Sequence, residues 1–358
     1  MMLRKPLFAR PRVFFLLLAL ALALLGGCAR RTPLRETRLV LGTSATITIY
    51  DDRVPRGIMD RVFDRVVEIE SLMSSNARNW PDSEVLAINR AAGSSPVAVS
   101  PDTFEVIERG IRYSALTDGV FDISVGPLVS LWGIGTPRER VPTMEEIVAA
   151  KPLIDFSRIE IDPEHRTVFL PEEGMAIDVG GIAKGFAVQE AAKLLRSEGI
   201  SRAVLDFGGD VYTVGRRPDD NLWRIGLQSP DTGRGGIIAV IESSNTSVVT
   251  SGAYERFFVQ DGVRYHHMID ISTGFPARSE VISVTAIAEN ATLSDVLSTA
   301  GFILGLREGL ELLMRVPEVE GIFVTDDRRV FVTDGLIDRF RLTDPEFRLA
   351  SIESVLGQ

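Results

Sequence analysis

Residues 178–185 read Asp-Val-Gly-Gly-Ile-Ala-Lys-Gly, which places one acid, three glycines and one lysine just ahead of a helical pattern. Glycine lets the backbone approach a ligand closely, and Lys184 can neutralise a phosphate. The amide groups that open a helix favour an anion. The segment therefore predicts a cradle for a phosphate or a nucleotide. Its spacing is neither the Rossmann nor the P-loop pattern, and a tight strand-to-helix turn without a ligand stays open as the alternative.

A second group that could do chemistry lies near the C-terminal third of the chain, where Asp295 and Thr299 are four residues apart in a predicted helix. Their side chains would lie on one face, one turn apart, so a carboxylate and a hydroxyl could share one hard cation. Oxygen ligands without cysteine or histidine suit Mg²⁺. The alternative is structural, because Asp295 would also complement the helix dipole and Thr299 could bond to the backbone.

The N-terminus is typical of an export signal. Four basic residues within positions 4–12 precede an apolar run over Val13–Leu25 and then Gly-Gly-Cys28. This arrangement resembles a bacterial lipoprotein signal, so we expect residues 1–27 to be removed and Cys28, the only cysteine, to carry lipid. A transmembrane anchor is less favoured, since 13 apolar residues are fewer than the roughly 20 that span a bilayer. We expect an exported protein of the cell envelope, lipid-anchored at Cys28, that faces the periplasm or lies on the outer face of the cytoplasmic membrane.

The charge of the chain argues against a nucleic-acid partner. Its net charge is −10, with 39 basic and 49 acidic side chains. Removal of residues 1–27 would take away four basic side chains and no acidic ones, which leaves the mature protein near −14. Such an acidic chain has no evident electrostatic footprint for nucleic acid, nor for anionic lipid beyond its anchor.

Helical and strand periodicities alternate along the chain in a way that favours an α+β fold with mixed helices and antiparallel sheet, built as one catalytic unit or two intimate lobes. We expect a tether at 28–37, a catalytic domain at 38–345 and a tail at 346–358. The predicted helices cover 56–73, 103–115, the stretch from the glycine cradle to Gly199, and 294–305. The predicted strands cover 38–50, 203–207, 211–215, 223–228, 237–243, 255–260, 264–270 and 281–288, followed by a hairpin near 321–333, with Asp261-Gly262 as a hairpin turn.

Taken together, the motifs resemble the ApbE family of FAD:protein FMN transferases over roughly residues 38–340. The segments that carry the resemblance are Met73-Ser-Ser with Pro81-Asp-Ser-Glu84, Thr117-Asp-Gly-Val-Phe-Asp-Ile-Ser-Val-Gly-Pro-Leu-Val-Ser-Leu-Trp-Gly133, Asp178-Val-Gly-Gly-Ile-Ala-Lys-Gly, Leu205-Asp-Phe-Gly-Gly-Asp210, Thr250-Ser-Gly-Ala-Tyr-Glu-Arg256, His267-Met-Ile-Asp-Ile-Ser-Thr-Gly-Phe-Pro276 and Ser294-Asp-Val-Leu-Ser-Thr299.

The resemblance implies a magnesium-dependent enzyme that cleaves FAD, moves the FMN half onto a threonine hydroxyl of an acceptor protein and releases AMP. The implied partners are FAD and an acceptor such as a membrane redox subunit or an exported flavoprotein. Two alternatives remain. A magnesium-dependent FAD pyrophosphatase would use water in place of threonine. A non-catalytic flavin-binding lipoprotein would not need the metal residues together with a base.

The family's site residues carry over to matching positions in this sequence. The implied magnesium ligands are the backbone carbonyl of Gly181 and the side chains of Asp295 and Thr299. The implied FAD contacts are Leu41 on the predicted first strand, Phe121, Asp122, Asp178, Lys184 and Ile269. The sequence departs from the family at two places: Leu41 stands where methionine is common, and Asn76 with three extra residues stands where an aromatic is common, which makes Trp80 a candidate for flavin stacking.

Histidine supplies the candidate catalytic base. The chain has three, His165, His266 and His267, and only His267 lies in a matching motif. An imidazole there could accept the proton of the incoming hydroxyl. The alternative for His267 is a structural or surface role. His266 should point to the opposite face of the same strand and act as a bystander.

Overall fold

A computed structural model describes residues 32–230 and 236–357. The predicted signal peptide and Cys28 lie outside the described residues. The predicted α+β class with mixed helices and antiparallel sheet is confirmed. Within the described part of the chain, no helix is both long enough and apolar enough to cross a membrane.

Nineteen strands are present in the described residues: β1 Leu34–Val40, β2 Thr43–Ile49, β3 Val97–Ala98, β4 Glu160–Asp162, β5 Thr167–Phe169, β6 Ala203–Phe207, β7 Asp210–Val214, β8 Trp223–Gln228, β9 Ile237–Ser243, β10 Ser247–Gly252, β11 Phe257–Gln260, β12 Val263–His266, β13 Ile269–Asp270, β14 Phe275–Pro276, β15 Val281–Ala288, β16 Glu320–Thr325, β17 Arg329–Val332, β18 Phe340–Leu342 and β19 Arg348–Leu349.

The helices are α1 Ile58–Met73, α2 Glu84–Arg90, α3 Pro101–Leu116, α4 Gly126–Trp132, α5 Met144–Ala150, α6 Gly180–Ser197, α7 Ala291–Leu304, α8 Leu306–Arg315 and α9 Glu353–Leu356, with short 3₁₀ turns at Lys151–Leu153, Phe156–Arg158 and Asp334–Arg339.

A nine-stranded sheet in the order β1-β2-β6-β7-β10-β15-β16-β17-β19 forms the centre of the fold. Its pairs are antiparallel except for the parallel pair of β17 and β19. Because successive side chains of a strand face opposite sides, Phe323 joins the core beneath the helices, whereas Ile322 and Val324 pack towards the small sheet β18-β9-β8. The large sheet is therefore covered on one face by α1, α6, α7 and α8, and on the other by three strands.

The amphipathic helix predicted at 56–73 is confirmed as α1, with Ile58, Val62, Val66, Ile69 and Met73 all buried. The hairpin turn at Asp261-Gly262 is also confirmed. Both residues have positive φ, 52° and 76°, as a two-residue hairpin turn that follows the strand twist requires.

The single first strand predicted over 38–50 is wrong. The chain forms a hairpin there, β1 and β2, that turns at Leu41 and Gly42 with φ of 55° and 66°. Leu41 therefore lies in the turn rather than on a strand. The turn lacks the Asn or Asp that usually precedes glycine in such hairpins. The apolar run Leu39-Val-Leu41 indicates a continuous strand instead.

The predicted glycine turn ahead of a helix is also corrected. Gly180, Gly181 and Gly185 lie inside α6, which begins at Gly180. The helix ends with Gly199 in the left-handed region, φ 82°, as predicted. The cradle is consequently the first turns of a helix and not a loop that precedes one.

Further differences concern boundaries. The predicted strand 264–270 is interrupted at His267, and β10 and α8 were not predicted. The predicted tether at 28–37 includes residues 34–37, which belong to β1 in the structure. Likewise, residues in the predicted tail extend the folded unit, because β19 pairs with β17 and Ile352, Val355 and Leu356 pack against the main core.

Candidate functional site

The site begins where α6 and α7 cross, at Gly185. A Cβ atom on Gly185 would lie 2.4 Å from the carbonyl oxygen of Ala291 and 2.8 Å from the Cβ of Asp295. Only glycine allows the two helices to approach this closely. At that distance the backbone N–H of Gly185 donates to Asp295 Oδ2 at 2.8 Å. The helix crossing therefore fixes the buried Asp295 carboxylate against the first turns of α6.

This arrangement fits the predicted metal ligands. In a regular α-helix the Gly185 N–H would donate to the carbonyl of Gly181, so the bond to Asp295 competes for that donor. Gly181 O and Asp295 Oδ2 are thus directed to the same amide group. Thr299 follows Asp295 by one helical turn, and its hydroxyl is 3.3 Å from Ser251 Oγ. A carbonyl, a carboxylate and a hydroxyl make a donor set that suits Mg²⁺.

No group of three or more His, Cys, Asp or Glu that could hold a metal ion is found in the ranges 32–230 and 236–357. The predicted ligands of Gly181, Asp295 and Thr299 are all oxygen atoms, one charged and two neutral, which water or substrate oxygens would complete. Such a donor set favours a hard cation over the softer metals that select cysteine or histidine.

Lys184 lies between two buried acids. Its Nζ is 2.5 Å from Asp210 Oδ2, and Asp210 is 1 % exposed. Burial lowers the pKa of Lys184, but the negative charges of Asp210 and Asp295 outweigh it and raise the pKa overall. Burial raises the pKa values of both acids, and the positive charge of Lys184 opposes both shifts. Lys184, whose side chain is 28 % exposed, is consequently held as a cation beside two buried acids.

The backbone carbonyl of Arg256 holds His267 at two points. Its backbone N–H donates to the Arg256 carbonyl at 3.1 Å, and its Nδ1 lies 3.3 Å from the same oxygen. A carbonyl can only accept, so Nδ1 carries the hydrogen and Nε2 keeps a free lone pair. Surrounding protein and the charges of Arg256 and Lys184 lower the pKa of His267. His267 is an exposed residue, and its lowered pKa leaves a neutral imidazole at pH 7.

The other two histidines lie in structural settings. His266 is buried, its Nε2 donates to the Ala277 carbonyl at 2.9 Å, and its ring packs edge-on against Phe302. His165 is exposed and lies 2.8 Å from Asp162 on the turn that joins β4 to β5. Neither side chain is connected by these contacts to Lys184 or Asp295.

The segment around Phe121 supports the start of α6. The backbone N–H of Asp178 donates to the Ile123 carbonyl at 2.8 Å, and Asp178 Oδ1 accepts from Gly180 N–H at 2.8 Å. The Phe121 ring lies against Gly181, where a Cβ would meet it at 3.0 Å. Phe121 and Asp178 therefore flank the predicted metal ligand Gly181.

Both carboxylate oxygens of Asp122 already accept hydrogen bonds from the protein. Asp122 is buried, its Oδ1 accepts from the N–H and the hydroxyl of Ser124, and its Oδ2 accepts from Phe156 N–H at 3.1 Å. Burial raises its pKa, and these three bonds oppose that shift. The carboxylate thus ties its own loop to the 3₁₀ turn at Phe156–Arg158, and a contact with FAD stays a prediction.

Leu41 contacts Arg256, and Ile269 follows His267 by two residues. The Leu41 carbonyl accepts from Arg256 Nη2 at 3.4 Å, which brings the β1–β2 turn to this wall of the site. Ile269, two residues after His267, is buried in a small cluster with Trp132. The turn that contains Asn76 is closed by a bond from Trp80 N–H to the Asn76 carbonyl. The roles of Leu41, Ile269 and Trp80 towards a flavin stay predictions.

Sequence reasoning missed two residues that the structure brings to the site, Asp210 and Arg256. Both lay in segments that we quoted, Leu205-Asp-Phe-Gly-Gly-Asp210 and Thr250-Ser-Gly-Ala-Tyr-Glu-Arg256. Their signals in the sequence are an acid directly after Gly-Gly and an arginine that shortly precedes His267. Asp210 pairs with Lys184, which lies on a different element of the chain. Arg256 contacts His267, which lies eleven positions further along.

Comparison with known proteins identifies the family of this chain. A model of the ApbE family matches residues 41–323. The FAD:protein FMN transferase of Treponema pallidum (strain Nichols) is 35 % identical over 344 residues, with 90 % of this chain and 94 % of the relative covered. That of Klebsiella pneumoniae (strain 342) is 33 % identical over 311 residues and covers 87 % and 95 %.

Solved structures give the same result. An ApbE protein from Thermotoga maritima superposes with a TM-score of 0.77 at 34 % identity, covering 85 % of this chain and 98 % of that one. The flavin transferase ApbE from Vibrio cholerae superposes with a TM-score of 0.73 at 28 % identity, covering 88 % and 98 %.

Proposed function

The chain belongs to the ApbE family, and we propose from this membership and its site that it transfers FMN from FAD to a threonine hydroxyl of an acceptor protein. In the proposed reaction the threonine oxygen bonds to the phosphorus of the FMN half. The bond from that phosphorus to the oxygen of the AMP half breaks, and AMP leaves. The threonine proton passes to a base of the enzyme.

The observation that carries the proposal is the meeting of a cation, a carboxylate and a neutral histidine at one place. Lys184 lies close enough to both Asp295 and His267 to shift their pKa values. Phosphoryl transfer needs charge neutralisation and alignment more than covalent chemistry from the protein. A pyrophosphate placed here would meet Lys184 on one side and a proton acceptor on the other.

The metal role is assigned to Gly181, Asp295 and Thr299, whose oxygen atoms fit Mg²⁺. When bound, the cation would neutralise charge on the pyrophosphate oxygens. The chain's own contribution is to keep the Asp295 carboxylate fixed through its bond to Gly185, so that no side-chain rotation has to be arrested when the metal binds.

His267 is proposed as the base. Its Nδ1–H is held by the Arg256 carbonyl, which orients the ring and leaves Nε2 as the acceptor for the threonine proton. The lowered pKa keeps the imidazole neutral and able to accept that proton at neutral pH. The same charges, on Arg256 and Lys184, would also favour loss of the proton afterwards.

A direct test combines two products. Native enzyme is incubated with FAD, with and without Mg²⁺ and with and without an exported flavoprotein as acceptor. Intact-protein mass spectrometry detects bound FMN, and chromatography detects AMP. The proposal expects both products in equal amounts, dependent on Mg²⁺, with Asp295→Asn strongly impaired. AMP release with no flavin on any acceptor would instead support the pyrophosphatase alternative.

Export and lipid attachment at Cys28 complete the proposed function, because an envelope location would bring the enzyme to membrane redox subunits or exported flavoproteins. The support is the pattern of residues 1–28. Expression of native chain and of Cys28→Ser in a bacterium, followed by fractionation, tests it: the native chain should sediment with membranes and the variant should not. Equal distributions would contradict lipidation.

A further inference from the structure

The hairpin of β11 and β12, residues 257–266, carries a surface that the site itself does not use. It forms a two-stranded sheet of its own among the described residues. One of its faces is anchored, since Phe258 and Tyr265 stack with ring centroids 5.3 Å apart and Tyr265 lies 5.4 Å from Trp132. The hairpin is therefore held firmly on one side.

The opposite face of β11 carries exposed side chains. Phe257 is 40 % exposed and Val259 is 59 % exposed. Arg264 covers part of this face, with its guanidinium 4.3 Å from the centre of the Phe257 ring. By contrast, β12 ends in the buried His266. Among the described residues β11 pairs only with β12, so its outer edge has no strand partner. Such an edge is a ready template for pairing with another chain, and proteins usually protect it.

The backbone of β11 is oriented for pairing. His267 N–H donates to the Arg256 carbonyl, and the two-residue turn at Asp261-Gly262 closes the other end of the hairpin. In an antiparallel pair, hydrogen-bonded and non-hydrogen-bonded positions alternate. Phe257 and Val259 therefore occupy non-hydrogen-bonded positions, and their N–H and C=O groups point away from β12. The exposed apolar residues are thus also the ones with outward backbone groups.

The position of this edge indicates its occupant. The strand starts immediately after Arg256, whose carbonyl holds His267. Any acceptor that delivers a hydroxyl to His267 Nε2 must lie against the surface next to it. We propose that the outer edge of β11 binds an extended segment of the acceptor protein by main-chain hydrogen bonds, with Phe257 and Val259 contacting its side chains and the target threonine at the His267 end.

This inference rests on the proposed function. It is tested with Val259→Pro, which removes only an outward N–H and no hydrogen bond within the hairpin, and with the milder Val259→Ser and Phe257→Ser. Met314→Ser is the matched control, because Met314 is 49 % exposed on α8 and lies outside the hairpin. Each variant is assayed for FAD affinity, for acceptor-independent AMP release and for the acceptor concentration that gives half-maximal transfer.

We expect the half-maximal acceptor concentration to rise about tenfold or more for Val259→Pro and by a smaller factor for the serine variants, on the scale of one to two lost contacts. FAD affinity and acceptor-independent AMP release should stay within about twofold of native, and Met314→Ser should match native throughout. Hydrogen exchange of the Phe257 and Val259 amides should slow when acceptor is added to native enzyme.

Unchanged acceptor dependence in Val259→Pro, or loss of FAD affinity in proportion to the loss of transfer, would overturn the docking assignment. Absence of amide protection at Phe257 and Val259 would do the same. Failure of the proposed function is a different result, because native enzyme would then flavinylate no acceptor at all.

Discussion

Lys184 and Asp210 form an ion pair with 2.5 Å between Nζ and Oδ2, in which the Asp210 side chain is 2 % exposed and the Lys184 side chain 28 %. A buried charge whose partner is removed is left uncompensated, at a cost of about 3–5 kcal/mol, whereas removal of both charges is much less costly. Lys184 therefore has two roles: its ammonium group stabilises the fold through Asp210, and in the proposed function it binds the substrate pyrophosphate.

The first prediction separates these two roles. Lys184→Met should lower the melting temperature, because it leaves Asp210 buried without its counter-charge. The added substitution Asp210→Asn should recover much of that loss, while FMN transfer stays low in both variants because the cation is missing. Thermal unfolding and transfer assays on both variants make the check. Recovery of transfer together with stability would show that Lys184 has only a structural role.

The second prediction concerns the metal ligands. Asp295→Asn keeps an acceptor for the Gly185 N–H but removes the negative charge, so transfer should fall by about two orders of magnitude or more. Thr299→Val should raise the Mg²⁺ concentration needed for half-maximal rate, whereas Thr299→Ser keeps the hydroxyl and should stay near native. Magnesium titrations of the three variants measure this. A native rate for Asp295→Asn at limiting Mg²⁺ would contradict the assignment.

The third prediction concerns Gly185, whose φ is not in the left-handed region. Because a Cβ would clash with Ala291 O and the Cβ of Asp295, Gly185→Ala should force α6 and α7 apart and cost about 1–3 kcal/mol of unfolding free energy. Ser197→Ala, near the exposed end of the same helix, is the control. Denaturant unfolding compares them. Native stability for Gly185→Ala combined with lost FAD binding would show instead that Gly185 is needed for close approach of the ligand.

The fourth prediction concerns the pH dependence of transfer. A free histidine has a pKa near 6.5, and the environment of His267 lowers it, so the base stays neutral as the pH falls through 6.5. The transfer rate should therefore stay level below pH 6.5 and fall only in more acidic solution, at the lowered pKa. Rates measured from pH 5 to pH 9 test the sign. A fall centred at or above 6.5 would show that His267 is not the base or is not shifted.

The fifth prediction uses substitution at the same residue. His267→Ala should slow transfer by about two to four orders of magnitude, while FAD affinity changes only a few fold, because a base acts in the transition state. His165→Ala, on an exposed turn, should behave as native. Single-turnover transfer and flavin titration report the two quantities. An equal loss of FAD affinity and transfer would point to a binding role.

Several features could be predicted from sequence because local physical rules decide them. The apolar spacing of α1 specifies an amphipathic helix wherever it packs, and Asp261-Gly262 tolerates the left-handed backbone that a tight hairpin needs. The order of the motifs indicated the family. Asp295 and Thr299 share one helix face through helical geometry alone.

Other features depend on residues that only the folded chain brings together. The Asp210–Lys184 pair joins β7 to α6, and Gly185 is required because α7 crosses α6 at that point. The tautomer and lowered pKa of His267 come from the Arg256 carbonyl and from charges on other elements. Sequence specifies which groups are available, whereas burial and distance set their charge, and both arise only from tertiary packing.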